Sequence, residues 1–96
     1  MTKKKVTVII KDKDRQYQGL RTSLGLLLEN HQVSMVVLRH EVALTEEYQD
    51  YLAYVDEMGG SRLSDVPRNI EAFGFAPIDL TGLGDLIDHS DLVIPF

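Results

Sequence analysis

The chain has 96 residues, 44% of them hydrophobic and 26% charged, and it contains no cysteine. At this length roughly 60–65% of the unfolded chain's surface can be buried, which supports one modest core and leaves no room for a second domain. The missing cysteine excludes disulfide frameworks, thiolate metal sites, iron–sulfur clusters and every cysteine nucleophile, and the net charge of −5 argues against a generic nucleic-acid binder.

No segment approaches the ~20 apolar residues of a membrane span, and the basic start reaches only Val6 to Ile10 before charge resumes. The expectation is a cytoplasmic chain. Charge is unevenly spread: residues 1–39 carry eight basic and three acidic side chains, residues 40–96 two basic and twelve acidic. Such polarity favours head-to-tail association of subunits.

Val6 to Ile10 is a β-branched run, apolar at nearly every position, as in a strand buried on both faces. Tyr17, Leu20, Leu24, Leu27 and Leu28 then recur at helical spacing, with Asp14 as the expected cap and Leu26 pointing to a second buried side. Gly19 and Gly25 disfavour a helix locally, so the expected reason for both is close packing against the sheet. Asn30 suits a left-handed helix end, and Val33 to Leu38 supplies a second buried strand. Strand, helix and strand within about 34 residues make a βαβ unit.

Thr45 followed by Glu46 and Glu47 predicts a helix start, with a capping hydroxyl and acids at the positive end of the dipole. Tyr48, Tyr51, Leu52, Val55 and Met58 form its stripe and Gly59-Gly60 its stop. Arg62-Leu63 reads as a very short strand. Ser64-Asp65-Val66-Pro67 opens another helix, Ser64 or Asp65 capping, with Val66, Ile70 and Phe73 as its stripe and Gly74 as its end. Pro77 to Leu80 is extended, Thr81 is the expected cap of a short helix carrying Leu83, Leu86 and Ile87, and Asp91 to Ile94 is the last strand. This alternation implies a three-layer α/β/α sandwich on a mostly parallel sheet of four to five strands.

In such folds ligands bind beyond the carboxyl ends of the strands. Those ends hold Lys11, Lys13 and Arg15 after the first strand, Arg39 and His40 with Glu41 after the second, and Ser64 with Asp65 after the third. Basic residues dominate the first two groups and suit a small anion or an acidic partner segment. His40 is the candidate acid/base, because imidazole titrates near neutrality. His31, His40 and His89 lack metal-ligand spacing, so no metal is expected. Neither a dinucleotide fingerprint nor a P-loop is present, and Thr81-Gly82-Leu83-Gly84 reads as a tight helix entry. No cofactor is expected.

Taken together, the segments resemble the DsrE/DsrF-like family of small α/β proteins, which includes sulfur-relay subunits. The resemblance rests on the glycine-containing helix from Tyr17 to Leu26, the turn Arg39-His40-Glu41-Val42, and Met58-Gly59-Gly60 leading to Asn69-Ile70-Glu71-Ala72-Phe73-Gly74. The closing run from Leu86 to Phe96 completes it. It covers residues 1–96 as a single domain and implies a flavodoxin-like sandwich, a homo-oligomer and a sulfur-relay protein partner. In some members a persulfide-carrying cysteine stands in the loop where this chain has Ser64 and Asp65. A serine hydroxyl cannot hold a persulfide. The expectation is therefore a non-catalytic oligomeric subunit that binds a partner protein or small anion, contacting neither nucleic acid nor membrane. The alternative is an enzyme acting on a small anionic substrate at a subunit interface, with His40 as acid/base and Arg39 or Ser64 beside it.

Overall fold

The computed structural model describes residues 3–96. Five strands, β1 (Lys5–Ile10), β2 (Gln32–Val37), β3 (Ser61–Ser64), β4 (Ala76–Pro77) and β5 (Leu92–Pro95), alternate with four helices. These are α1 (Gln16–Leu28), α2 (Glu46–Glu57), α3 (Pro67–Phe73) and α4 (Leu80–Asp88). All strand pairings are parallel, in the order β4-β3-β2-β1-β5. With helices on both faces, the molecule is a three-layer α/β/α sandwich of the flavodoxin-like kind, and the sheet expected to be mostly parallel is entirely so.

The core lies between one sheet face and α1 and α2. Val6, Val8 and Ile10 of β1 and Val33, Met35 and Val37 of β2 meet Leu20, Leu27, Tyr48, Leu52 and Val55 there, with Ile70 and Phe73 of α3 against the same cluster. The opposite sheet face carries Thr7, whose hydroxyl pairs with that of Ser90 just after α4. This division follows from chain direction. The steps β1 to β2, β2 to β3 and β3 to β4 all move the same way, so right-handed crossovers put α1, α2 and α3 on one face. The step from β4 to β5 runs back across the whole sheet and puts α4 on the other.

Local signals hold at several helix ends. Thr45 accepts from the Tyr48 amide at 3.2 Å, Asn30 is left-handed with φ 67°, and Gly74 with φ 72° closes α3. Others are corrected. Asp12, not Asp14, is the capping acid after β1, accepting from the Asp14 amide at 2.9 Å and starting a 3-10 turn at Lys13–Arg15 that precedes α1. Asp79, not Thr81, caps α4 by accepting from the Gly82 amide at 2.7 Å. Val66 is the cap residue of α3 and makes no side-chain cap bond; Ser64 instead accepts from the Val66 amide.

Gly19 meets the expectation of close packing, since a Cβ there would overlap the Ile10 side chain, whereas Gly25 has open space around it. Leu28 is also corrected: α1 ends there, and the side chain is 76% exposed. Leu26, by contrast, is half-buried against the core.

Candidate functional site

Between β3 and β4 the connections part, because α3 leaves on one face and α4 on the other. A crevice forms at such a reversal, outside the carboxyl ends of the strands. Here it is a cleft of about 500 Å³ with walls from Leu63, Ile70, Pro77 and Ile78. Ser64, Asp65, Asp79 and Gly82 supply its polar edge. A compartment of about 170 Å³ continues it toward β2, sharing Asp65, Ile78 and Asp79 and adding Leu38, Arg39, Leu80 and Leu83.

Short-range geometry builds this cleft. The left-handed Gly74 turns the chain out of α3, buried Phe75 anchors it, and the Ile78 amide donates to the Ser64 carbonyl at 3.1 Å. Asp79 then closes the start of α4 with one carboxylate oxygen. Across the cleft, an Asp65 oxygen accepts from the Arg39 amide at 2.9 Å and holds Arg39 at φ 70°. A non-glycine residue in that region is uncommon and persists where its surroundings over-determine it.

Beneath the cleft lies a closed polar network. Ser64 is fully buried; its hydroxyl donates to the Val37 carbonyl at 2.7 Å and accepts from Val66 N and Asn69 Nδ2. Asn69, also fully buried, donates to the His40 carbonyl at 2.9 Å and accepts from the Val42 amide at 3.0 Å. Gln16 accepts from the Ala43 amide and Gln49 donates to the Ala43 carbonyl, both at 2.9 Å. The loop from Arg39 to Ala43 is thus tied to α1, α2, α3 and Asp65.

The residues expected at the site are dispersed by this arrangement. Arg39, Ser64 and Asp65 reach the cleft and its compartment. Lys11, Lys13 and Arg15 stand at the end of β1, two strand positions from β3. They line neither part. Arg15 lies over the Phe96 ring at 5.1 Å and donates to Gln18 at 3.1 Å. His40 also lines neither part. Its Nδ1 lies 3.1 Å from the Leu38 carbonyl; a carbonyl only accepts, so Nδ1 donates, and the nitrogen that would serve as a base is Nε2. Nε2 is buried without a partner, so the basic atom is shielded from any substrate in solvent.

Asp79, Ile78 and Asn69 were missed as site residues. A usable signal existed for Asp79, a good capping residue three positions before Gly82. Nothing local marked Asn69, whose partners in the loop after β2 lie 27 and 29 residues away.

Among the described residues, no group of three or more His, Asp or Glu side chains is placed to hold a metal ion, and no helix is long and apolar enough to cross a membrane. No family model, no curated protein and no solved structure matches the chain.

Proposed function

We propose that the chain is a non-catalytic, cytoplasmic binding subunit that self-associates and receives a partner protein's segment in the cleft between β3 and β4. The observation that carries this reading is the fate of the reactive groups. The Ser64 hydroxyl is consumed by three bonds within the chain, His40 turns its free nitrogen inward, and Arg39 reaches only the smaller compartment. Nucleophilic and acid/base catalysis need a donor and acceptor within reach of one substrate atom, and His40 meets neither Arg39 nor Ser64 in the cleft.

A cleft with apolar walls and few polar groups suits binding. Two carboxylates, Asp65 and Asp79, face it against one cation, Arg39. That balance favours a protein segment with an apolar side chain and hydrogen-bond donors over a small anion. The resemblance to DsrE/DsrF-like proteins supports a place beside a sulfur relay, as a subunit that itself holds no persulfide.

The test has two arms. Incubation with a cysteine desulfurase and cysteine is expected to leave the intact mass unchanged; covalent sulfur uptake overturns the reading. Thermal unfolding with phosphate, sulfate or thiosulfate is expected to show no shift. A shift abolished by Arg39→Ala would establish the small-anion site instead, and turnover abolished by His40→Ala would establish an enzyme.

A further inference from the structure

The cleft and the smaller compartment beside it have three lining residues in common, Asp65, Ile78 and Asp79. Both carboxylates therefore stand where the two parts join. Each is held there by one oxygen: Asp65 Oδ1 accepts from the Arg39 amide at 2.9 Å, and Asp79 Oδ1 from the Gly82 amide at 2.7 Å. The other oxygen of each, Oδ2, has no hydrogen bond and no ion pair among the described residues. Two oriented, negatively charged acceptors remain open at the junction.

The groups around them leave this charge standing. No cation lines the larger part of the cleft. Arg39 lines only the smaller compartment, where its side chain is exposed and is ion-paired with neither aspartate. The positive end of α4 is already met by Asp79 Oδ1. Leu63, Ile70, Pro77 and Ile78 supply apolar walls, and the Ser64 hydroxyl is consumed by bonds within the chain. A complementary occupant has an apolar stem and a cationic donor at its tip.

We propose that the partner segment received in the cleft is anchored by a lysine side chain, its ammonium bound between Asp65 and Asp79. The methylene stem lies along the apolar walls while the charged head stays at the polar edge, as long amphipathic side chains do. Arginine suits the site less well. A guanidinium binds best to both oxygens of one carboxylate, side by side, and here one oxygen of each is already given to a backbone amide. An ammonium directs its three donors separately and can take one open oxygen from each aspartate.

This inference rests on the docking reading and goes beyond it by naming the anchor. The probe is a short capped peptide with lysine between two leucines, titrated into the isotope-labelled chain and followed at the amide resonances of Ile78, Asp79 and Gly82. Those resonances are expected to move, and replacing the lysine by glutamine is expected to weaken binding about tenfold. Combining Asp65→Asn with Asp79→Asn is expected to weaken the lysine peptide equally without lowering the unfolding temperature, because asparagine keeps the accepting Oδ1 and loses only the charge. If the glutamine peptide moves the same resonances with equal affinity, the lysine anchor is wrong and the docking cleft stands. An arginine peptide that binds as tightly as the lysine one overturns the assignment of an ammonium. If no peptide moves them up to about 10 mM, the docking reading falls as well. Loss of self-association by the double variant in sedimentation velocity would instead give the cleft to a second copy of this chain and overturn the partner's lysine.

Discussion

The side-chain amide of Asn69 sits between His40 and Val42, donating 2.9 Å to the carbonyl of the first and accepting 3.0 Å from the amide of the second. One buried residue on α3 thereby fixes the loop that leaves β2. Through Ser64, which it also contacts at 3.1 Å, it fixes the end of β3 as well. Asn69→Ala leaves the buried Val42 amide, the half-buried His40 carbonyl and part of the Ser64 hydroxyl without partners. The expected loss is about 3 kcal/mol, read from the urea midpoint at constant slope.

Ser64 is one of the two loop residues, with Asp65, at which the proposed DsrE/DsrF-like resemblance puts a cysteine in some members, and its side chain is fully buried. Ser64→Cys is expected to fold with a loss of about 1–2 kcal/mol, because sulfur is a weaker donor and acceptor in the same network. The thiol is expected to resist an aromatic disulfide reagent in the native state and react fully in urea. Rapid native-state labelling would show that the segment between β3 and α3 opens readily.

Tyr48 presents the reverse case, a fully buried ring whose hydroxyl has no hydrogen-bond partner. The ring packs edge-on against Tyr17, with centroids 5.4 Å apart. Tyr48→Phe keeps this packing and removes the unpaired hydroxyl, so stability is expected to be unchanged or to rise by up to about 1 kcal/mol. Tyr48→Ala removes the ring and is expected to cost about 3–5 kcal/mol.

Burial also raises the Tyr48 phenol well above its ordinary value, and the neighbouring Tyr17 adds to the effect. The unfolded chain releases this proton near pH 10 while the folded chain keeps it. Stability from this group is present below that pH and is lost as pH rises above it. Thermal unfolding of the wild type is therefore expected to fall more steeply above pH 10 than that of Tyr48→Phe.

The two glycines of α1 separate local from tertiary effects. Gly19→Ala drives a methyl into Ile10 and is expected to cost about 1–3 kcal/mol. Gly25→Ala meets open space and is expected to stabilise by up to about 1 kcal/mol through helix propensity. Chemical denaturation of the pair checks both signs.

The sequence by itself determined the elements and their class, because the signals that make them are local. β-branched runs at Val6–Ile10 and Val33–Leu38 can be read without neighbours, as can the apolar stripe of α2 and the stops at Asn30, Gly59 and Gly74. Only the tertiary structure decided strand order, and with it the cleft between β3 and β4, because a reversal of chain direction depends on pairings many residues apart. Long-range contact likewise made Ser64 a buried brace, left Lys11, Lys13 and Arg15 away from the cleft, and gave Gly19 a reason that Gly25 lacks. A residue's type states what bonds it can make; which of them remain free for a partner is settled by what the folded chain brings against it.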